Sequence, residues 1–283
     1  MKKVILITGS STGFGALMVR TFAREGHAVI ATMRNAAGKN AAYAQTLGAL
    51  QNTEVIDLDV TDDASVSNAV KTVYARHGKI DVLINNAGIY GGGVLESYTL
   101  PQIQKLFDVN VWGVHRMNNE VLPRMRAAKE GLIITISSQV GRISLPLQSA
   151  YNASKFALEG LIEGSYAELL AQGVESVLLE PGGFLTDIIT KVHVNGDREG
   201  IQESYGTSIT EMQQRMMKAF TRIFTEAAPD PQLVADAALR LVDMEKGKRP
   251  LRTPLDINSK GVDIEYNNTT EEIKERWISA YGL

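Results

Sequence analysis

The 283-residue chain contains no cysteine. That excludes disulfides, thiolate metal sites and a cysteine nucleophile. It leaves the redox compartment open, because a cysteine-free chain suits a reducing cytosol without requiring one. An excess of one charge is also missing. There are 29 Lys and Arg against 32 Asp and Glu, a net charge of −3, so no basic footprint points to nucleic acid. No run approaches the roughly 18 apolar residues of a membrane span. Met1 to Ile7 starts like a signal peptide, but Thr8-Gly9-Ser10-Ser11 breaks the apolar stretch too early. The expectation is a cytoplasmic protein. The four histidines, His27, His77, His115 and His193, share no zinc-ligand spacing, so no metal is expected. No repeat, linker or second composition is visible, and the length suits one large α/β domain.

What is present is alternation. Short β-branched runs fall at Lys3–Thr8, His27–Met33, Glu54–Leu58, Asp81–Ile84, Leu132–Ser137 and Val174–Leu179, with a last short strand at Arg249–Arg252. Runs without polar interruption suit strands buried on both faces. Helical periodicity separates them at Gly13–Glu25, in an alanine-rich polar stretch, at Asp62–His77, from Thr99-Leu100-Pro101 toward Lys129 with a kink allowed at Pro123, at Ser149–Gln172, and from Asp230-Pro231 to about Glu245. Repeated βαβ units predict an α/β fold: one doubly wound dinucleotide-binding domain over residues 1–283, with a parallel sheet of about seven strands and helices on both faces. Residues 183–228 are Met-rich and polar, and are expected to form short helices of a partly mobile lid, with Met212, Met216 and Met217 as an adaptable wall. The tail, residues 255–283, shows weak periodicity until Glu271–Ala280.

Tyr151 and Lys155 stand one helical turn apart, with Ser138 thirteen residues upstream. A tyrosine with a pKa of about 10 is a poor acid or base at neutral pH. One cation about 4 Å away at an effective dielectric of about 20 supplies the roughly 4 kcal/mol that brings it to about 7. Thr8-Gly9-Ser10-Ser11-Thr12-Gly13-Phe14-Gly15 joins the first strand to the first helix. Such a turn lets backbone approach a diphosphate and aims helix N–H groups at it. Its spacing is neither G-x-G-x-x-G nor a P-loop.

Together these features resemble the short-chain dehydrogenase/reductases. Thr8-Gly9-x-x-x-Gly13-x-Gly15 is similar to their cofactor turn, and Asn85-Asn86-Ala87-Gly88 to the motif after their fourth strand. Asn110, Ser138, Tyr151 and Lys155 fall where their catalytic tetrad does. Pro181-Gly182 with Thr186 is similar to the segment over their nicotinamide. The resemblance spans residues 3 to 190. It implies proton transfer at Tyr151, and it implies that Lys155 steadies the phenolate and binds the nicotinamide ribose. Ser138 would hydrogen-bond the substrate oxygen, and Asn110 would hold a water against Lys155. Ser137 is the rival serine, expected on the opposite side of the strand. Asn110 is out of place in a helix, with a kink as its structural explanation.

The cofactor-binding set implied is Gly9, Ser11, Thr12, Gly13, Phe14, Gly15, Arg34, Asp59, Val60, Asn86, Ala87, Gly88, Tyr151, Lys155, Pro181, Gly182 and Thr186. Met33 stands where an acidic residue would mark NAD, and Arg34 follows it as a partner for a 2′-phosphate. NADP(H) is therefore favoured over NAD(H); Asp57 is the alternative acidic residue to Asp59. Tyr90–Gly93, Gln139–Gln148 and the chain from Phe184 onward are expected to line the substrate pocket, with Val140, Leu145, Leu147 and Phe184 as an apolar wall.

The expected activity is NADP(H)-dependent reduction of a ketone or oxidation of a secondary alcohol, on a small and largely apolar molecule. A dinucleotide sensor on the same fold, an NAD-dependent dehydrogenase, and an epimerase or dehydratase are the alternatives. The resemblance also implies a homo-oligomer, dimer or tetramer, built on the helices near Leu100–Lys129 and Ser149–Gln172. Gly160 and Gly164 could bring helices close there. The Asn152-Ala153-Ser154 sequon lies inside the proposed catalytic helix and is discarded. The Lys246–Arg249 cluster is too short to imply nucleic acid.

Overall fold

The structure is a computed structural model that describes residues 2–188 and 194–282; His193 lies outside the described residues. Seven parallel strands form one sheet: β1 Val4–Ile7, β2 Ala28–Met33, β3 Thr53–Asp57, β4 Val82–Asn85, β5 Gly131–Ile136, β6 Val174–Pro181 and β7 Arg252–Leu255. Their order is β3-β2-β1-β4-β5-β6-β7. The strand order reverses its winding between β1 and β4, and the crevice at their C-terminal ends is where doubly wound sheets take ligands.

Strand alternation divides the core. Ile5, Ile7, Val29, Ile84, Ile134 and Val177 face one side, under α1 Gly13–Arg24 and a helix at Gln232–Asp243. Leu6, Ile30, Leu83 and Ile133 face the other, under α3 Asp63–His77 and α5 Gly113–Ala128. Leu178 meets Leu158 and Ile162 of α6 Ser149–Ala171. The second helix, α2 Ala41–Gly48, covers the β3 edge. Local signals set several boundaries. The Asp62 carboxylate accepts the N–H groups of Ala64 and Ser65 at 2.8 and 3.0 Å, and Gly78 ends α3 at φ +75°. Gln102 reaches back to the Thr99 N–H at 2.8 Å and starts α4 Leu100–Phe107.

Between α4 and α5 the helix widens into a π turn at Asp108–Trp112, centred on Asn110. Here the predicted helix is distorted at Asn110, while Pro123 sits inside α5. Residues after β6 form α7 Ile201–Ser204 and α8 Thr207–Arg222, followed by a π turn at Ile223–Ala227. Where short helices were expected in residues 183–228, one described helix has 16 residues. Gln232–Asp243 is α9, and Val262–Ser279 is α10. Two further expectations are corrected. The last strand lies three residues beyond Arg249–Arg252, because Arg249 turns inward to a buried ion pair with Glu175. The tail becomes helical at Val262 rather than Glu271. Its inward contacts are polar, through Asp263, Asn267 and Thr270, so apolar periodicity does not report them.

Candidate active site

The glycine-rich turn owes its shape to close backbone contact. Gly9 has φ +68°, and a Cβ there would lie 2.7 Å from Ala87 Cα. A Cβ on Gly15 would lie 2.6 Å from Asn86 Nδ2. Asn86 explains the approach: its Nδ2 donates to the carbonyls of Thr8 and Gly9 at 2.8 and 3.0 Å. The Thr8 hydroxyl accepts the N–H groups of Asn86 and Ala87, both at 3.0 Å. The ends of β1 and β4 are stitched together at the switch point. Helix α1 starts at Thr12 with no side-chain cap hydrogen bond, which leaves its first N–H groups available to an anion.

Above this turn lies a cleft of about 490 Å³. One end holds Ser11 to Phe14, Arg34, Asp59 and Val60, with Thr186 against Gly13; the other holds Asn86 to Gly88, Ser138, Tyr151, Lys155, Pro181 and Gly182. Of the cofactor-binding set predicted from sequence, only Gly15 is not at its surface; it packs beneath the turn. Sequence reading missed Lys39, Asn40 and Tyr43, which complete the Arg34 end. A basic residue five positions after Arg34 was the available signal. Met33 is buried, and the Asp57 carboxylate accepts the Ala36 N–H at 2.6 Å, so the alternative acidic residue is spent on its own loop. Arg34 lies 3.7 Å from Asp59. Phe184 is buried against Phe14, ring centroids 5.6 Å apart, and both line the cleft. These residues fit a nicotinamide dinucleotide: open helix N–H groups for the diphosphate, and two cations near the far end.

The reacting end is built on α6 and the close of β5. Tyr151 is buried, its ring edge-on to Tyr90 at 5.1 Å. Burial first, then Tyr90, push its pKa up, while a hydrogen bond with the Ser138 side chain holds it down. The lowering expected from Lys155 is not found in the protein alone. The Lys155 ammonium instead donates to the Ile136 carbonyl at 3.0 Å, and burial brings its pKa down to about 8, against an upward pull from Glu159. Ser138 begins a 3-10 turn, Gln139–Gly141, and its Oγ accepts the Val140 N–H at 3.3 Å. Ser137 is more deeply buried, with no hydrogen-bond partner for its Oγ. Asn110 lies beneath the floor. Its Oδ1 accepts the Ile89 N–H at 2.9 Å, and its Nδ2 donates to the Ile89 carbonyl and Ser154 Oγ, both at 3.0 Å. The π turn delivers this side chain, which is a common use of such bulges.

Gly91 to Gly93 have a definite task. The N–H groups of Val194 and Gly196 donate to the carbonyls of Tyr90 and Gly92 at 3.1 and 3.3 Å. A Cβ on Gly91 would lie 2.5 Å from the Val194 carbonyl oxygen. The Gly93 N–H donates to the Leu147 carbonyl at 2.7 Å, with Leu147 itself left-handed at φ +59°. Residues 194–196 are therefore strapped to the loop beside Tyr151. Of the discounted residues, His27 accepts the Lys3 N–H at 3.1 Å and His77 meets Glu54 at 3.1 Å. No metal-binding cluster occurs among the described residues. A Cβ on Gly160 or Gly164 would meet nothing within 4 Å, so neither glycine packs a helix within the chain. No described helix is long and apolar enough to cross a membrane.

Fold, glycine turn and crevice define a doubly wound, dinucleotide-fold oxidoreductase. Residues 3–195 match the family model described as short chain dehydrogenase, and the chain belongs to that family. It is 36% identical to a 3-ketodihydrosphingosine reductase of Bacteroides thetaiotaomicron, over 73% of this chain and 72% of the relative. It is 30% identical to retinol dehydrogenase 8 of Bos taurus, over 99% and 93%. A short-chain dehydrogenase from Streptomyces avermitilis superposes with a TM-score of 0.76 at 30% identity, covering 99% of this chain and 96% of that one. The structure of ElxO with NADP bound gives 0.73 at 25% identity, covering 91% and 97%.

Proposed function

We propose that the chain is an NADP(H)-dependent reductase of ketones, working in reverse as a secondary-alcohol dehydrogenase. The observation that carries this reading is the convergence of Tyr151, Ser138 and Lys155 at one end of a cleft whose other end offers Arg34 and Lys39. Bound nicotinamide would supply or accept the hydride. The protein does the rest. Tyr151 gives its proton to the carbonyl oxygen, or takes one from the alcohol, while Ser138 hydrogen-bonds the same oxygen. Lys155 holds charge beside the tyrosine, and Asn110 fixes the backbone at Ile89 that borders the cleft. The NADP-bound ElxO structure supports the phosphorylated cofactor, as does the absence of an acidic residue at Met33.

The substrate is read as a largely apolar molecule. Support comes from relatives named for 3-ketodihydrosphingosine and retinol, and from α8, whose Ile209, Met212, Met216 and Phe220 share one half-buried face. Residues 183–228 act as the lid. Exposed Leu100, Trp112 and Phe156 on α4–α6 support homo-oligomer contacts there. The test is oxidation of NADPH and NADH, followed at 340 nm, against ketones of increasing apolar length, with NADP and NAD run on the matching alcohols. Turnover with NADPH that rises with chain length is expected. Turnover with NADH alone would overturn the cofactor assignment, and cofactor binding without turnover on any ketone would favour a sensor.

A further inference from the structure

Glu159 takes no part in the chemistry above, yet it is buried on the helix that carries Tyr151 and Lys155. It lies one turn beyond Lys155, and its side chain is 4% exposed. A buried carboxylate is costly unless paired and hydrogen-bonded. Arg252 of β7 pairs with it, Nε to Oε2 at 2.9 Å. Arg252 also meets Glu163 of α6 at 2.6 Å, Glu180 of β6 at 3.3 Å and Glu271 of α10 at 3.8 Å. Glu180 accepts from Asn267 of α10 at 2.6 Å and lies 3.9 Å from Arg142. Lys274 of α10 bridges Glu163 and Glu271 at 2.9 and 2.5 Å. Four carboxylates thus face three cations, Arg142, Arg252 and Lys274. The next cation along the helix of Glu159 is Lys155.

Packing ties Glu159 to the catalytic turn as well. A Cβ on Gly141 would lie 2.8 Å from Glu159 Cγ, 3.0 Å from Ser137 Oγ and 3.1 Å from the Lys155 carbonyl oxygen. The stem of Glu159 therefore sits between the turn that follows Ser138 and the turn of helix that carries Lys155. Its Oε1 is buried with no hydrogen-bond partner among the described residues. That oxygen acts through its charge.

We propose that Glu159 is a positioning residue for proton transfer: its buried carboxylate keeps Lys155 charged, and Arg252, braced by α10, limits how much of that charge the lysine feels. The inference rests on the Tyr151–Lys155 reading given above. Burial works against the lysine charge, and Glu159 works for it. Removing this negative charge lowers the pKa of Lys155, so the lysine titration carries the sign of the test.

The test is the pH profile of kcat/KM for carbonyl reduction in Glu159→Gln, with a melting curve and an NMR titration of isotope-labelled Lys155. The lysine titration should move down by about one pH unit, and the alkaline limb should shift with it. Glu159→Asp, which keeps the charge, should move them by less than half as much, and it serves if the glutamine variant does not fold. A folded Glu159→Gln protein that loses rate evenly across pH, with the lysine titration unmoved, overturns the proposal. Tyr151→Phe is run alongside. If that variant turns over normally, the Tyr–Lys mechanism fails, while the Lys155 titration still decides whether Glu159 sets its charge.

Discussion

Replacing Arg34 with alanine should weaken the phosphorylated cofactor and spare the unphosphorylated one. The guanidinium is half exposed, at 51%, and its ion pair with Asp59 is loose at 3.7 Å. It is therefore free to turn toward a phosphate. A charge-assisted hydrogen bond contributes about 1.5–3 kcal/mol, and solvent screening at a half-exposed site reduces that to about 1–2 kcal/mol. The corresponding loss in affinity is about 5- to 30-fold. Lys39 lines the same end, so Arg34→Ala with Lys39→Ala should lose more than either alone. The preference for NADPH over NADH should also shrink as salt rises, since an exposed contact is screened beyond about 10 Å at 0.1 M. Equilibrium titration with both cofactors, followed by nicotinamide fluorescence, reads these values directly. Equal weakening of both cofactors, or a preference indifferent to Arg34 and to salt, would refute the reasoning.

Tyr151→Phe should lower turnover by about 10²- to 10⁴-fold with little change in cofactor affinity, as measured by steady-state rates beside a binding titration. Asn110→Ala strands the Ile89 N–H and carbonyl in the core and should cost about 2–4 kcal/mol, seen as a drop in the denaturant midpoint; an unchanged midpoint would deny it the clamping role. Gly91→Ala should loosen the lid strap, raising KM for large ketones more than for small ones. Glu180 has its pKa raised to about 7, first by burial and then by Glu159. A carboxyl held above its unfolded value stabilises the fold at low pH and loses that contribution as pH rises from about 4.5 toward 7. Glu180→Gln should therefore raise the melting temperature more at pH 8 than at pH 5, and the reverse order would contradict the linkage.

The strands of the sheet were readable because β1, β4 and β5 are buried on both faces and leave mostly apolar runs, while β6 was read through Glu175 and Ser176. The catalytic helix was readable for its length and its Gly173 stop. The glycine turn, Tyr151, Lys155 and Ser138 were legible as spacing. What spacing could not show was orientation. Nothing in the sequence says that Asn110 clamps Ile89 through a π turn, or that Lys155 points at the Ile136 carbonyl. Nor does it say that Phe184 packs on Phe14. Helix α10 escaped notice from Val262 to Glu271 because its inward face is polar, and its partners, Arg252, Glu180 and Arg142, lie about 20, 90 and 130 residues away.

The strap at Gly91 to Gly93 bears on how this enzyme could be re-engineered. The proposed lid is seamed to the body at two places: at Gln102, whose Nε2 donates to the Asn195 carbonyl at 2.8 Å, and at the Tyr90–Gly92 edge, where Val194 and Gly196 pair with it. A lid grafted from another protein would carry only one side of each seam. The recipient loop would have to change with it, keeping glycine wherever the incoming backbone crosses. Exchange of residues 89–102 and 183–228 together would preserve this stitching, and libraries that vary the lid alone would mostly sample broken seams.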